Sequence, residues 1–302
     1  VEDGLFTLTD VLSAADAACY MAKEKGRNRV HVYHAEDTEI STRHGEMEWI
    51  GRLQKALEED RFVLYSQDIA KLDLSSKAEE HSEILIRMVD ERGELVPPMA
   101  FIPAAERYNL MPSIDRWVVR NAFAIIARQQ FENNGKSGVF AINLSGASIG
   151  DERFLDYVRE QFSHFSVRPQ NICFEITETV AIAKIEKATY FMNQLKSIGC
   201  LFSLDDFGAG MSSFAYLKHL PVDFVKIDGG FVKDMADDPI DRAMVEAINN
   251  VGHVMGKKTI AEFVNDEPVI RLLRKLGVDF AQGYGVAKPR PFGTRLRAVA
   301  TG

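Results

Sequence analysis

Cysteine is scarce: Cys19, Cys173 and Cys200 are the only three in 302 residues, and no CxxC pair occurs. That count leaves an odd thiol, which argues against a disulfide framework or a structural zinc site and for a reducing compartment. Long apolar runs are missing as well, none approaching the roughly 18 residues a membrane-spanning helix needs. There is no low-complexity tract, which excludes disordered and collagen-like classes. Positive charge is not in excess, since 36 basic against 44 acidic side chains give a net charge of −8; a partner that is a nucleic-acid polymer is not expected. Val1 opens in mid-pattern without a signal sequence, so the chain is read as a soluble, cytoplasmic piece of a longer protein.

What is present is a composition able to bury a large core, 46% hydrophobic. Residues 10–25 read as a helix stopped by Gly26, and 29–33 as a short strand. This unit is too small to fold alone, so residues 1–40 are assigned to the tail of a truncated domain and its linker. Residues 41–302 form the main domain, led by an amphipathic helix on which Met47, Ile50, Leu53 and Leu57 recur at helical spacing.

From Arg61 onward eight short apolar runs are expected as strands, at 62–72, 82–89, 139–144, 172–176, 201–204, 224–227, 258–262 and 279–281. Helix-length amphipathic segments such as 114–131, 184–198 and 241–255 lie between most of them, as parallel strands with crossover helices require. Only about ten residues separate the first two strands, too few for a crossover, so that pair should be antiparallel. The expected fold is α/β: a TIM-like (β/α)8 barrel with one antiparallel strand. An open doubly wound sheet is the alternative, but no GxGxxG opens a helix.

A strand buried on both faces should be apolar, yet these carry polar residues at or near their C-terminal ends: Glu83, Asn143, Glu175, Asp205 with Asp206, Lys226, Glu262 and Gln282. Each alone reads equally well as a salt-bridged strand end. Together they converge on one barrel mouth, where an unpaired buried charge needs a metal, a counter-charge or hydrogen bonds. Carboxylate and amide oxygens are hard donors suited to Mg²⁺ or Mn²⁺, and they are too many for one ion that keeps its waters, so two metals acting on a phosphoryl group are implied.

The ordered motifs Glu83-Ile84-Leu85-Ile86-Arg87, Asn143-Leu144-Ser145, Glu175-Ile176-Thr177-Glu178, Asp205-Asp206-Phe207-Gly208-Ala209-Gly210, Lys226-Ile227-Asp228, Ala261-Glu262 and Gln282-Gly283-Tyr284 resemble those of the EAL-family cyclic-di-GMP phosphodiesterases over 61–292. Residues 15–23 with Gly26-Arg27-Asn28-Arg29 resemble the last helix and strand of a GGDEF diguanylate cyclase domain, without its GGDEF loop. The resemblance implies hydrolysis of cyclic-di-GMP to linear pGpG with two Mg²⁺ or Mn²⁺ ions, Ca²⁺ being inhibitory. Glu83, Asn143, Glu175 and Asp205 are implied as metal ligands, with Asp206 and Glu262 holding or bridging the second ion. Lys226 is implied to orient and help deprotonate the attacking water, Glu83 and Glu262 joining it as catalytic residues. Gln67, Arg87 and Gln282 are implied to bind substrate, Gln282 also placing water near the metals. Glu178 is implied to steady the loop 206–213, which links metal binding to dimer formation. The implied partners are cyclic-di-GMP, a second copy of the barrel, and upstream GGDEF and sensor domains, with tethering to the inner membrane through segments outside this chain. The alternative is a catalytically weak EAL domain acting as a cyclic-di-GMP receptor or regulatory dimerisation module.

The sequence departs from the family pattern in places. Ile84 replaces the signature alanine, Asp68 stands where proline usually follows glutamine, and Phe263 and Asn265 replace the glycine and second glutamate after Ala261-Glu262. Loss of such a supporting carboxylate typically costs about 10- to 100-fold. Other signals carry no function: Gly135-Lys136-Ser137 lacks the first glycine of a P-loop, Asp206-Phe207-Gly208 lacks the other kinase motifs, Asn143-Leu144-Ser145 is a sequon on a strand, and His31 and His34 lack further metal ligands. Cys173 and Cys200 read as small core hydrophobes.

Overall fold

The computed structural model of the protein describes residues 39–73, 80–132, 138–209 and 215–293, with side chains from residue 49 onward. The elements expected over 10–25 and 29–33, Cys19, His31, His34 and the 135–137 triplet lie outside the described residues. Two compact units divide between Gln54 and Lys55, within the leading helix α1 (Glu39–Glu58).

The larger unit opens with β1 (Phe62–Lys71), β2 (His81–Val89) and the two-residue β3 (Leu95–Val96). β1 and β2 are antiparallel, with Gln67 opposite Glu83 and Phe62 opposite Met88. Helices α2 (Pro98–Arg107) and α3 (Met111–Glu132) lead into β4 (Val139–Asn143), and α4 (Gly146–Ile149) and α5 (Glu152–Phe165) into β5 (Ile172–Thr177). The order continues with α6 (Glu178–Ala183), α7 (Ile185–Lys196), β6 (Leu201–Phe207), β7 (Phe224–Ile227), α8 (Gly229–Val232), α9 (Pro239–Val254), β8 (Lys258–Ala261), α10 (Glu267–Leu276), β9 (Phe280–Gln282) and β10 (Arg290–Pro291).

In the sheet the strands follow the order β10-β1-β9-β8-β7-β6-β5-β4-β2-β3, and the β1–β2 pairing closes it. Eight strands thus make the expected barrel; β4 to β9 run parallel with β2, and β1, antiparallel to both β2 and β9, is the reversed strand. β3 and β10 were not expected. Each is two residues long, β3 pairing onto the end of β2 and β10 onto the middle of β1, too short for a hydrophobic period to register.

The helices begin and stop for local reasons. Asp238 caps α9 by accepting from the Ile240 and Asp241 amides, with Pro239 in the first turn. Asp266 caps α10 through the Val269 amide, and Gly277, at φ 73°, ends it in a left-handed conformation that glycine adopts without a Cβ clash. Between them Val269, Ile270 and Leu273 form the buried stripe. Around the sheet Phe154 stacks on Phe191, which meets Phe202 edge-on; each such ring contributes about 1.5–3 kcal/mol by burial.

Inside the bore, the two-residue period of a strand sets two layers. Ile69, Ala141, Cys173, Phe224, Ile260 and Phe280 form one apolar cluster, completed by His81, whose ring lies 5.3 Å from that of Phe224 and 5.8 Å from that of Phe280. Two positions further along the parallel strands stand Glu83, Asn143, Glu175, Lys226, Glu262 and Gln282; on the reversed β1 the polar residue, Gln67, comes two positions before Ile69. Cys173 and Cys200 are buried free thiols, as expected, and burial pushes the Cys200 thiol up to about 12.

Candidate active site

Lys226 is the centre of the polar layer. Its side chain is 1% exposed, and Nζ lies 2.9 Å from Asp205, 2.9 Å from Glu262, 3.2 Å from Glu175 and 3.4 Å from Glu83. Burial alone would pull the lysine down; Asp205, Glu175, Glu262 and Glu83 outweigh it and hold the ammonium well above the usual lysine range. The carboxylates divide. Burial raises Glu175 well above the ordinary value and pushes Glu262 up to about 8. On Glu83 burial acts upward too, but Lys226 together with hydrogen bonds from Gln282 and Asn143 brings the carboxyl below its ordinary value.

The amides tie the ring together. Asn143 Nδ2 donates to Glu83 Oε1 at 2.5 Å, Gln282 Nε2 donates to Glu83 Oε2 at 2.6 Å, and Gln282 also reaches Gln67 Oε1 at 3.3 Å. Gln67 in turn donates to the Ala287 carbonyl at 2.9 Å. Of the residues expected at the site, Gln67, Glu83, Asn143, Glu175, Asp205, Lys226, Glu262 and Gln282 are therefore brought together.

One placement differs from expectation, and one expected placement depends on an irregularity. Glu83 is the third of nine residues in β2, near its start rather than its end. The reason is that β2 outruns the barrel: its pairing with β4 stops at Ile84, while Met88 and Val89 continue onto β3. Asp205 and Asp206, being consecutive, would point to opposite faces of a regular strand. Here the β6–β7 register shifts between Leu204 and Phe207 and Asp206 takes φ 53°, an irregularity that turns both acids to one side. Asp205, Asp206 and Glu262 each present an oxygen within 4.8 Å of the others. Burial, then the neighbouring Asp205, raises the Asp206 pKa.

Arg87 stands apart from the ring. Its guanidinium lies over Tyr65, 5.5 Å from the ring centroid, and donates to the Ile86 carbonyl at 2.8 Å. Glu178 is buried at the start of α6 and accepts from the Gly208 amide at 3.1 Å and from the Tyr216 hydroxyl. Among the described residues the ion pairs of Lys226 are with Glu83, Glu175, Asp205 and Glu262; Asn265 is not one of them. Asp68 pairs instead with Arg290 at 2.9 Å.

Sequence reading missed one supporting element. Asp115 of α3, buried, accepts at Oδ2 from the Ser145 hydroxyl and the Ser148 hydroxyl, both at 2.6 Å, and from the Ser145 amide at 3.1 Å. It pins the turn that follows Asn143. Burial pushes its carboxyl up to about 6 against those hydrogen bonds. A lone acid in the first turns of an otherwise apolar helix face was the available signal.

The donor set suits divalent cations. Glu175 Oε1 is buried and receives no hydrogen bond among the described residues, and the five carboxyl groups of Glu83, Glu175, Asp205, Asp206 and Glu262 gather near a single ammonium, four more than it could neutralise if all were ionised. Such an excess at a barrel mouth is stable only with bound positive charge or bound protons, and all-oxygen ligation favours hard ions.

Known proteins are similar to this chain in sequence and fold. The family model described as the EAL domain matches residues 50–289. The chain is similar to the cyclic di-GMP phosphodiesterase PdeB of Shewanella oneidensis, 41% identical over 97% of this chain and 34% of that protein. It is also similar to the cyclic di-GMP phosphodiesterase PdeF of Escherichia coli, 34% identical over 83% of this chain and 33% of that one. It thus spans about a third of the length of these relatives. Among solved structures, the FimX EAL domain from Pseudomonas aeruginosa bound to c-di-GMP superposes with a TM-score of 0.74 at 29% identity, covering 80% of this chain and 96% of that one.

Proposed function

The chain belongs to the EAL domain family, and from that premise we propose that it hydrolyses one 3′,5′-phosphodiester bond of cyclic-di-GMP to give linear pGpG. The observation that carries the reading is the excess of carboxylates around buried Lys226, gathered from separate strands at one mouth. Glu83, Asn143, Glu175, Asp205, Asp206 and Glu262 would hold two divalent cations, Mg²⁺ or Mn²⁺, which when bound supply Lewis acidity toward the phosphoryl group and lower the pKa of water. Ca²⁺, larger and tolerant of irregular coordination, would fill the site without supporting turnover.

The chain's own residues do the rest. Lys226, held as an ammonium, donates toward the attacking water and fixes its line of approach; Glu262 and Glu83, 2.9 and 3.4 Å from its Nζ, are the carboxylates that would take up the water's proton. Gln282, braced by Glu83 and Gln67, places a further amide at the same spot. Arg87, with no carboxylate at hydrogen-bond distance among the described residues and with Tyr65 beneath its guanidinium, is positioned to pair with a substrate phosphate. Glu178 holds Gly208 and Tyr216, the contacts through which it would act in the loop-steadying role expected of it. We assign 1–40 to the end of a cyclase-like domain and 41–302 to the barrel with its leading helix, in a longer protein that dimerises through the barrel and carries upstream sensor domains. No described helix is long and apolar enough to cross a membrane.

The test is chromatography of cyclic-di-GMP incubated with purified protein and Mg²⁺ or Mn²⁺, with an EDTA control and a binding titration in Ca²⁺. Metal-dependent pGpG is expected. Tight binding without product would make the domain a receptor; neither would leave it a dimerisation platform.

A further inference from the structure

Directly after Glu262 the chain does something that folding alone does not favour. Phe263 adopts φ 52°, the left-handed region in which a bulky side chain is an outlier, and its side chain is 66% exposed. An aromatic ring is thus held in a strained backbone conformation and offered to solvent, so neither burial nor local geometry accounts for it. The ring is nevertheless seated. One edge rests on Gly229, where any Cβ would overlap the Phe263 ring, and Gly229 opens α8 immediately after β7, the strand of Lys226. The backbone is fixed on both sides: the Glu262 amide donates to the Ile227 carbonyl at 3.2 Å and the Val264 amide to the Gln282 carbonyl at 2.9 Å. Phe263 is therefore a rigid aromatic plate on the rim of the mouth, one residue beyond a carboxylate of the site.

We propose that Phe263 is a specificity-determining residue that stacks on a purine base of the bound nucleotide. The inference rests on the cyclic-di-GMP reading and deepens it. A purine presents a flat face of the right size to an exposed ring, and base–aromatic stacking needs only the π-face that every base has, a use that accounts for keeping a phenylalanine in a left-handed conformation. The phosphodiester chemistry belongs to the carboxylate and lysine layer; Phe263 acts on the base and should leave the chemical step alone.

The experiment measures cyclic-di-GMP affinity in Ca²⁺ for the wild type, Phe263→Gly, Phe263→Leu and Phe263→Tyr. Alongside it run hydrolysis of bis(p-nitrophenyl) phosphate, which has no purine, and thermal melting. Stacking predicts about tenfold weaker binding for Phe263→Gly and Phe263→Leu, near wild-type binding for Phe263→Tyr, unchanged hydrolysis of the nitrophenyl ester, and a Phe263→Gly protein that melts no lower than the wild type because glycine accepts φ 52° freely. Wild-type affinity in Phe263→Gly overturns the proposal, as does an equal loss with both substrates. If the wild type binds cyclic-di-GMP but never cleaves it, the hydrolase reading fails while the binding series still decides the stacking. If it neither binds nor cleaves cyclic-di-GMP, both fall.

Discussion

The two layers of the barrel bore lie one strand repeat apart and obey opposite rules. The lower layer, Ile69, Ala141, Cys173, Phe224, Ile260 and Phe280, is apolar, interlocked and satisfied by its own packing. The upper layer crowds Glu83, Glu175, Asp205 and Glu262 around Lys226 and leaves Glu175 Oε1 without a donor among the described residues. One layer is built for stability and the other tolerates its loss, and the same strands supply both because alternate residues share a face. The barrel therefore does not average its conflicts; it confines them to one level.

The sharpest way to break this contrast is to neutralise the upper layer. Glu175→Gln is expected to lower hydrolysis of cyclic-di-GMP by at least about a thousandfold, in the range seen when a residue acting in the transition state is removed, while raising the apo-protein's melting temperature. A variant that loses both activity and stability would show that Glu175 is structural. The lower layer should answer in reverse: Phe224→Ala is expected to cost about 3–5 kcal/mol in chemical denaturation, with divalent-cation binding by calorimetry retained below the melting point. A loss under about 1 kcal/mol would mean that the layers are not separate in function.

Lys226→Met tests the border between them. Removing the one ammonium from a buried acidic ring is expected to destabilise the apo-protein by about 3–5 kcal/mol, and added Mg²⁺ should restore much of that without restoring turnover. Indifference of the melting temperature to Mg²⁺ would contradict a cation site there.

A buried acid outside the bore sharpens the comparison least but most cleanly. Asp115 has its folded pKa raised to about 6 by burial. The native state then holds the proton more tightly than the unfolded chain, so this group's stabilising contribution is complete below about pH 4 and is lost as pH rises to about 6. Asp115→Asn, which keeps an oxygen acceptor for Ser145 and Ser148, should gain stability relative to the wild type between pH 4.5 and 7.5, by up to about 2–3 kcal/mol. A difference that stays flat across that range would refute the shift.

Much of this was legible in the letters. Eight apolar runs, each carrying a polar residue in or just beyond it, are a period-two signal that survives any error in strand boundaries, and the short β1–β2 spacing revealed the reversed strand. What escaped depends on pairing rather than composition. That Glu83 starts its strand follows from where β4 stops; Asp206 was expected at the site, but the register shift that sets it beside Asp205 was not, and neither feature has a signature in one chain. Asp115 escaped because its partners, Ser145 and Ser148, are thirty or more residues away. Phe263 was legible only as a departure from a pattern, and its left-handed backbone is what makes it informative.

The reversed strand has a consequence in time. β1 pairs with β2 nearby in the chain but also with β9, where Ile69 lies opposite Gln282. A nascent chain emerging from the ribosome therefore carries β1 with one edge satisfied and the other open until more than two hundred residues later are made. Closure is a high-contact-order step that comes last and slowly, and until then β1 exposes an unpaired edge to neighbouring chains. Gln282 arrives with that final strand, so the event that seals the barrel also completes the polar ring, and no half-synthesised intermediate holds a finished site.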